Sequence, residues 1–292
     1  MIKGIMNSGT QYLSIIENIP VTYLLLAVLT YYLSVLIYAL RWKLVLRGMG
    51  RDAPLEDLVK AILASIFVNN VTPTSRGGGE ILRIAWVSKK NSIPPEISTA
   101  SVIYERILES IPVFALFMLY LTRLHHIPKT VVLVVVIVTG VIWWKWDLLV
   151  EFSFKILSKK SDNEEIKKIS SLRDKHHITL GVITLSSVVW VLDVIHFKLV
   201  TAAFGLNLGW GILIGVSIIN FFLGLIALTP GGVGIVEGGL VGLLAHLGVP
   251  MALAVPVTLL ERFISYVLSS ITGFVILVTS GGWLMWRALK SQ

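Results

Sequence analysis

Residues 20–46, 96–122, 128–150, 178–204 and 251–280 are each apolar over more than the ~20 positions a helix needs to cross a ~30 Å hydrocarbon layer. That feature constrains the fold more than any other. Lipid offers no partner to a backbone N–H or C=O, so such runs must satisfy these groups within themselves, as helices. The chain is therefore expected to be an all-α polytopic membrane protein. Composition agrees: 55% of residues are hydrophobic and 14% charged, against about 25% charged in a soluble domain, which excludes an ordinary soluble enzyme. The net charge of +8 fits cytoplasmic loops and anionic lipid headgroups, and no nucleic acid partner is expected. Without cysteine there is no disulfide, thiol nucleophile or zinc–thiolate site, and the redox compartment stays open. No low-complexity linker divides the sequence, so residues 1–292 read as a single transmembrane domain.

Charge sets the expected orientation. Arg41, Lys43, Arg47 and Arg51 close the first run, and the loop 151–177 carries Lys155, Lys159, Lys160, Lys167, Lys168, Arg173 and Lys175. The positive-inside rule puts this loop and the C-terminus, with Arg287 and Lys290, in the cytoplasm of a multi-pass cell-membrane protein. The amino terminus is then outside if the segment before residue 20 does not itself cross. Ile2, Ile5, Met6, Tyr12, Leu13 and Ile16 recur near helical spacing, which predicts a retained interfacial helix rather than a cleaved signal peptide.

Two further apolar pieces, 55–72 and 209–228, are short for a crossing and end in breaks rich in proline and glycine. The first break runs from Thr72 to Glu80 and the second from Thr229 to Gly234; the short segments 81–88 and 235–247 follow them. Self-comparison ties the two regions together. Gly48 and Gly205, Pro73 and Pro230, and Glu80 and Glu237 are 157 apart, while Pro94 and Pro250, Glu105 and Glu261, and Arg106 and Arg262 are 156 apart. One single-residue gap aligns repeat 1, about 20–124, with repeat 2, about 178–280; the connecting span and loop occupy 127–177. If each broken segment dips into the membrane and returns to its own side, three crossings separate the copies and the second is upside down. The expectation is an inverted-repeat helical bundle with two re-entrant helical hairpins, an architecture of transporters. If proline and glycine instead kink full crossings, the parity changes.

Broken backbone at membrane depth is tolerated only inside a bundle or against a wet cavity. Gly77, Gly78 and Gly79, and Gly231, Gly232 and Gly234, are thus candidates for close backbone approach to a ligand, at helix starts whose free N–H groups favour an anion. No Lys-Ser or Lys-Thr follows either cluster, so a nucleotide P-loop is rejected. Glu80 and Glu237 fall in the first helical turn, where a carboxylate also serves as a cap. Glu105, Arg106, Glu261 and Arg262 each lie about 16 Å along a helix from its opening proline, near mid-membrane, where charges pair or face a functional cavity. Neighbouring helical positions diverge by about 100°, so Glu105 and Arg106 should meet different partners. One reading has an arginine in each half reaching its glycine break to bind phosphate while glutamates hold the guanidinium; the other has a structural Glu–Arg lattice. Arg76 and Arg83 have no counterparts in the second half and serve either headgroup capture or inside-positive anchoring. Asp193 and His196 form either a proton relay or a structural pair. No His-Glu-x-x-His, Gly-x-Ser-x-Gly or Asp-x-Asp motif is present, so neither a metal site, nor a cofactor, nor an enzyme activity is expected.

Pro73-x2-Arg76-x3-Glu80-x2-Arg83, Pro230-Gly231-Gly232-x-Gly234-x2-Glu237 and Glu261-Arg262 together resemble the signature of the lysylphosphatidylglycerol synthase transmembrane, or flippase-like, family. The likeness covers about residues 20–280. In that family the module occurs fused to an aminoacyl-lipid synthase, fused to glycosyltransferases, and alone. The resemblance implies movement of an anionic phospholipid, aminoacylated or plain, or of a polyprenyl-phosphate lipid, between leaflets. The 292 residues hold no synthase domain, which leaves the lipid open. A separately encoded synthase or glycosyltransferase would find its docking surface on the basic loop 155–175. A small-anion or solute secondary transporter and an integral-membrane lipid-phosphate enzyme are the alternatives.

Overall fold

A computed structural model describes residues 19–73, 77–121 and 170–281, together with scattered positions between 130 and 148. The amino-terminal helix expected over 1–18, Arg76, His125 and His126, most of the run 128–150, the loop 151–169, Arg287 and Lys290 lie outside the described residues. Every regular element among the described residues is helical.

In the first half, α1 spans Val21–Gly48, α2 Leu55–Val71, α3 Gly77–Lys90 and α4 Pro95–Leu121. Proline opens α1 and α2 from the preceding position, Pro20 and Pro54, where its fixed φ suits a helix entry. Gly50, at φ +75, turns the chain after α1. Glu56 and Asp57 sit in the first turn of α2, and Lys89 and Lys90 in the last turn of α3, each on the favourable side of the helix dipole. In the turn between α1 and α2, hydrogen bonding to Arg47, with Lys43 adding to it, holds the Asp52 carboxyl below the usual carboxylate range. The second half repeats the order: α5 His176–Ala202, α6 Trp210–Ile226, a 3-10 turn Pro230–Gly232, α7 Ile235–His246, and a last helical run made of α8 Met251–Arg262, a π-helical turn Phe263–Leu268 and α9 Ser269–Thr279.

Three of these runs, Val21–Gly48, His176–Ala202 and Met251–Thr279, are long and apolar enough to cross a membrane. The 27-residue α4 matches them in length but carries Glu105, Arg106 and Glu109. At 1.5 Å per residue the 17 residues of α2 and of α6 reach about 26 Å, and the 14 of α3 and 12 of α7 about 21 and 18 Å. Neither member of a pair crosses ~30 Å alone, so the break between them falls within the bundle.

The two halves pack into each other. The longest contact runs α1 along α5; α9 lies on α2, and α6 lies on α4. At the first crossing a Cβ on Gly273 would stand 2.8 Å from Phe67 Cβ and against the Leu63 carbonyl, so only glycine permits that approach. Each half has its own apolar core, completed by the other. Trp42, Leu46, Leu58, Trp86 and Leu108 pack with Ile178, Val182 and Leu277 of the second half. Val194, Phe197, Leu213, Leu240 and Val257 pack with Ala27 of the first. Outside, Val21, Leu25, Leu29, Leu180, Ile226 and Leu228 are all more than 60% exposed, an apolar surface that a water-soluble monomer does not present and lipid solvates.

Candidate functional site

Where the halves meet, a cavity of about 320 Å³ opens between α1, α2, α4, α5, α6 and the two breaks. Its polar wall combines Asn69, Asn70 and Thr72 at the end of α2 with Asn220 and Thr229 from α6 and the break after it. The second break touches the first piece directly. Gly231, at φ +59, leaves room for the Tyr266 ring and lies beside the Asn70 carbonyl, which accepts the Tyr266 hydroxyl at 3.4 Å. Asn70 Nδ2 donates to Ser270 Oγ at 2.8 Å, pinning the end of α2 to the last helical run.

The two arginines of the repeated Glu-Arg pairs both face this cavity. Arg262 Nε donates to Glu237 Oε1 at 2.7 Å, and its NH2 group donates to the Gly231 carbonyl at 2.7 Å. Glu237 also accepts the Gly234 N–H at 2.6 Å, so one carboxylate caps α7 and holds the guanidinium, which lies 4.7 Å over the Tyr266 ring. In the first half Arg106 pairs with Glu80 of α3 and donates to Glu109 Oε2 at 2.7 Å. Equivalent positions thus carry equivalent links: the carboxylate of each short helix braces the arginine of the helix after it. Such a bracket fixes the direction of the remaining guanidinium N–H groups.

Behind the first-half wall lies a denser network. Arg41 is fully buried; its Nε donates to Glu105 Oε1 at 3.2 Å, and its NH1 and NH2 groups donate to Ser186 Oγ at 3.0 Å and Glu109 Oε2 at 3.3 Å. Arg83, also fully buried, pairs with Glu105, stands 2.9 Å from Glu80 and lies 4.4 Å over Trp42. Two assignments change accordingly. Arg41, grouped from sequence with the cytoplasmic cluster, is an interior charge, because Glu105 and Glu109, one helical turn apart, neutralise it. Arg83 is an interior charge rather than an exposed anchor, and with Glu105 it stands out of reach of the cavity surface.

The remaining candidates divide. Gly231 and Gly232 line the cavity, whereas Gly79 is packed on α2, its N–H donating to Asn69 Oδ1 at 2.8 Å. That bond takes one of the free donors expected at the start of α3. Asp193 and His196 both reach the cavity wall but turn to different partners: Asp193 accepts the Ser217 hydroxyl, and His196 Nδ1 lies 3.1 Å from the Ala27 carbonyl. Among the described residues no group of His, Asp and Glu is arranged to hold a metal ion. Tyr38, Asn69, Asn70, Glu109 and Asn220 were not singled out from sequence.

Relatives of similar length share this chain's extent. It is 27% identical over 291 residues to the UPF0104 membrane protein PH1989 of Pyrococcus horikoshii, covering 88% of this chain and 87% of that one. It is 26% identical over 282 residues to a UPF0104 membrane protein of Methanothermobacter thermautotrophicus, covering 86% and 83%. To the UPF0104 membrane protein MJ1595 of Methanocaldococcus jannaschii it is 23% identical over 292 residues, covering 91% and 87%. No solved structure matches the chain. The model of the lysylphosphatidylglycerol synthase TM region matches residues 8–273, and the chain belongs to that family of membrane proteins.

Proposed function

We propose that this protein moves an anionic lipid between the leaflets of the membrane, with the headgroup passing through the central cavity while the acyl chains stay in the bilayer. The observation that carries this reading is the placement of Arg106 and Arg262, one from each half, on the wall of one cavity and each braced by a carboxylate of the preceding short helix. About 320 Å³ lies within the range of small-ligand sites, roughly 300–1,000 Å³, and suits a phosphate-bearing headgroup. The substrate class is an anionic phospholipid, aminoacylated or plain, or a polyprenyl-phosphate lipid. The protein acts as a transporter rather than an enzyme and works beside a separately encoded synthase or glycosyltransferase.

The two halves are taken as inverted repeats, with α2–α3 and α6–α7 as re-entrant hairpins opening from opposite faces. Reciprocal packing supports this: α1 on α5 is a contact between equivalents, and α9 on α2 is matched by α6 on α4, as a two-fold relation demands. Lys89 and Lys90 end the first hairpin, while the turns after α5 and α7 carry no Lys or Arg between 203 and 210 or between 247 and 250.

The test is a scrambling assay in liposomes containing fluorescent phosphatidylglycerol. Arg106→Ala and Arg262→Ala should each slow headgroup movement about tenfold or more, since a charge-assisted hydrogen bond contributes roughly 1.5–3 kcal/mol. Wild-type rates for both variants would remove the arginines from the site. Uptake of phosphate into sealed vesicles without lipid movement would instead favour a small-anion transporter.

A further inference from the structure

Among the described residues, the glutamates behind and along the first-half wall are all matched by guanidiniums, and Glu261 in the second half is not. Behind and along the first-half wall Arg41, Arg83 and Arg106 face Glu80, Glu105 and Glu109, and in the second half Arg262 faces Glu237. Glu261 falls outside this matching. It lines the cavity, is 3% exposed, and its Oε2 has no hydrogen-bond partner. The Ser265 hydroxyl, one turn further along the same helix, interacts with this carboxyl but brings no positive charge.

The repeat explains how this came about. Glu261 is the counterpart of Glu105, whose two guanidinium partners are Arg41 and Arg83. Shifted by 157, those positions are Lys198 and Leu240. Lys198 turns away, donating to Asn207 Oδ1 at 2.6 Å and the Leu208 carbonyl at 2.9 Å, and Leu240 packs in the apolar core. The same site in the fold therefore holds a neutralised carboxylate in one half and an uncompensated carboxyl in the other. A buried carboxylate is costly to ionise, so the charge of Glu261 hangs on the field of Arg262, which Glu237 already shares.

We propose that Glu261 is the proton-carrying site of the cavity, binding a proton when an anionic headgroup engages Arg262 and releasing it when the headgroup leaves. This rests on the lipid-translocation reading. The groups facing Glu261 set the linkage. Arg262 adjoins it on its own helix, with Glu237 of α7 holding that guanidinium; Asp193 and His196 face it from α5; Glu80, Arg106 and Glu109 stand across the cavity. An anion on Arg262 offsets the one positive charge beside Glu261, so its carboxylate form is disfavoured and O–H forms with a proton drawn from water. Departure of the anion restores the field of Arg262, and the O–H bond breaks to return the proton. By reciprocity of coupled binding, the proton strengthens anion binding by the same factor, and a single site takes up at most one proton for each headgroup. Asp193 is engaged elsewhere, accepting the Ser217 hydroxyl.

Calorimetric titration of the purified protein with short-chain phosphatidylglycerol, in buffers of different ionisation heat and across the neutral-to-alkaline range, reads binding and proton uptake together. The wild type should take up close to one proton per lipid bound, and Glu261→Gln, which mimics the protonated group, should bind the lipid with uptake near zero. Equal uptake in Glu261→Gln and wild type, no uptake by wild type at any pH, or loss of uptake in His196→Gln instead, would overturn the proposal. Infrared spectra keep the two readings apart. If wild type binds no phosphatidylglycerol, the lipid reading fails, but a carboxylic-acid C=O band that appears on adding inorganic phosphate and is missing in Glu261→Gln still places the proton there. Identical bands in the two proteins end the case for Glu261.

Discussion

Arg41 and Arg106 differ in what they should cost when replaced, and that difference separates architecture from transport. The Arg41 side chain is 0% exposed and binds Glu105, itself 0% exposed, together with Glu109 and Ser186. Arg41→Met keeps the apolar stem but leaves Glu105 with Arg83 as its sole guanidinium partner among the described residues and strips one donor from Glu109. Breaking a buried pair from one side costs about 3–5 kcal/mol. At roughly 2 °C per kcal/mol for a chain of this size, the expected loss is about 6–10 °C in the thermal midpoint. The Arg106 side chain is 38% exposed, so its pairing with Glu80 and Glu109 is screened and contributes about 1 kcal/mol or less. Arg106→Met should therefore lose about 2 °C at most while slowing lipid movement. Thermal unfolding in detergent, followed by tryptophan fluorescence and paired with scrambling rates from the same preparations, measures both. An Arg41→Met midpoint within about 2 °C of wild type, or an Arg106→Met midpoint as low as that of Arg41→Met, would refute the division between a structural network and an exposed substrate wall.

Two further outcomes follow from packing and topology. Gly273→Ala places a methyl group against the Leu63 carbonyl and 2.8 Å from Phe67 Cβ where α9 crosses α2, so it should lower the thermal midpoint and impair transport together; wild-type behaviour in both would mean the crossing yields freely. Because the chain has no cysteine, single cysteines report sidedness cleanly: Lys89→Cys should react with an impermeant maleimide only from the cytoplasmic face and Asn207→Cys only from outside, and labelling of both from one face would refute the inverted arrangement.

What could be read from the sequence was what repeats. Glu80 with Arg106 and Glu237 with Arg262 stand at matched positions and meet matched partners, because a carboxylate at the start of a short helix and an arginine on the following helix are brought together by the same order of elements in both halves. The unrepeated residues were harder to see. Asn69 and Asn70 correspond to Ile226 and Ala227, Asn220 to Leu63, and Asp193 and His196 to Leu36 and Ala39, so self-comparison passes over the polar groups that line the cavity. The burial of Arg41 was hidden for a related reason: three basic neighbours follow it within ten positions, and only the tertiary packing of α4 and α5 against α1 sets it apart from them. Yet the departures from symmetry bear most directly on function. Two identical halves would give a site whose states differ little in energy and whose charges cancel alike on both sides. Replacing the partners of one buried glutamate with Leu240 and a lysine that turns away leaves the second half with a carboxyl that has no guanidinium matched to it as Glu105 has; under the proton proposal its charge depends on what occupies the cavity, and a group of that kind is what lets the movement of one ion depend on another.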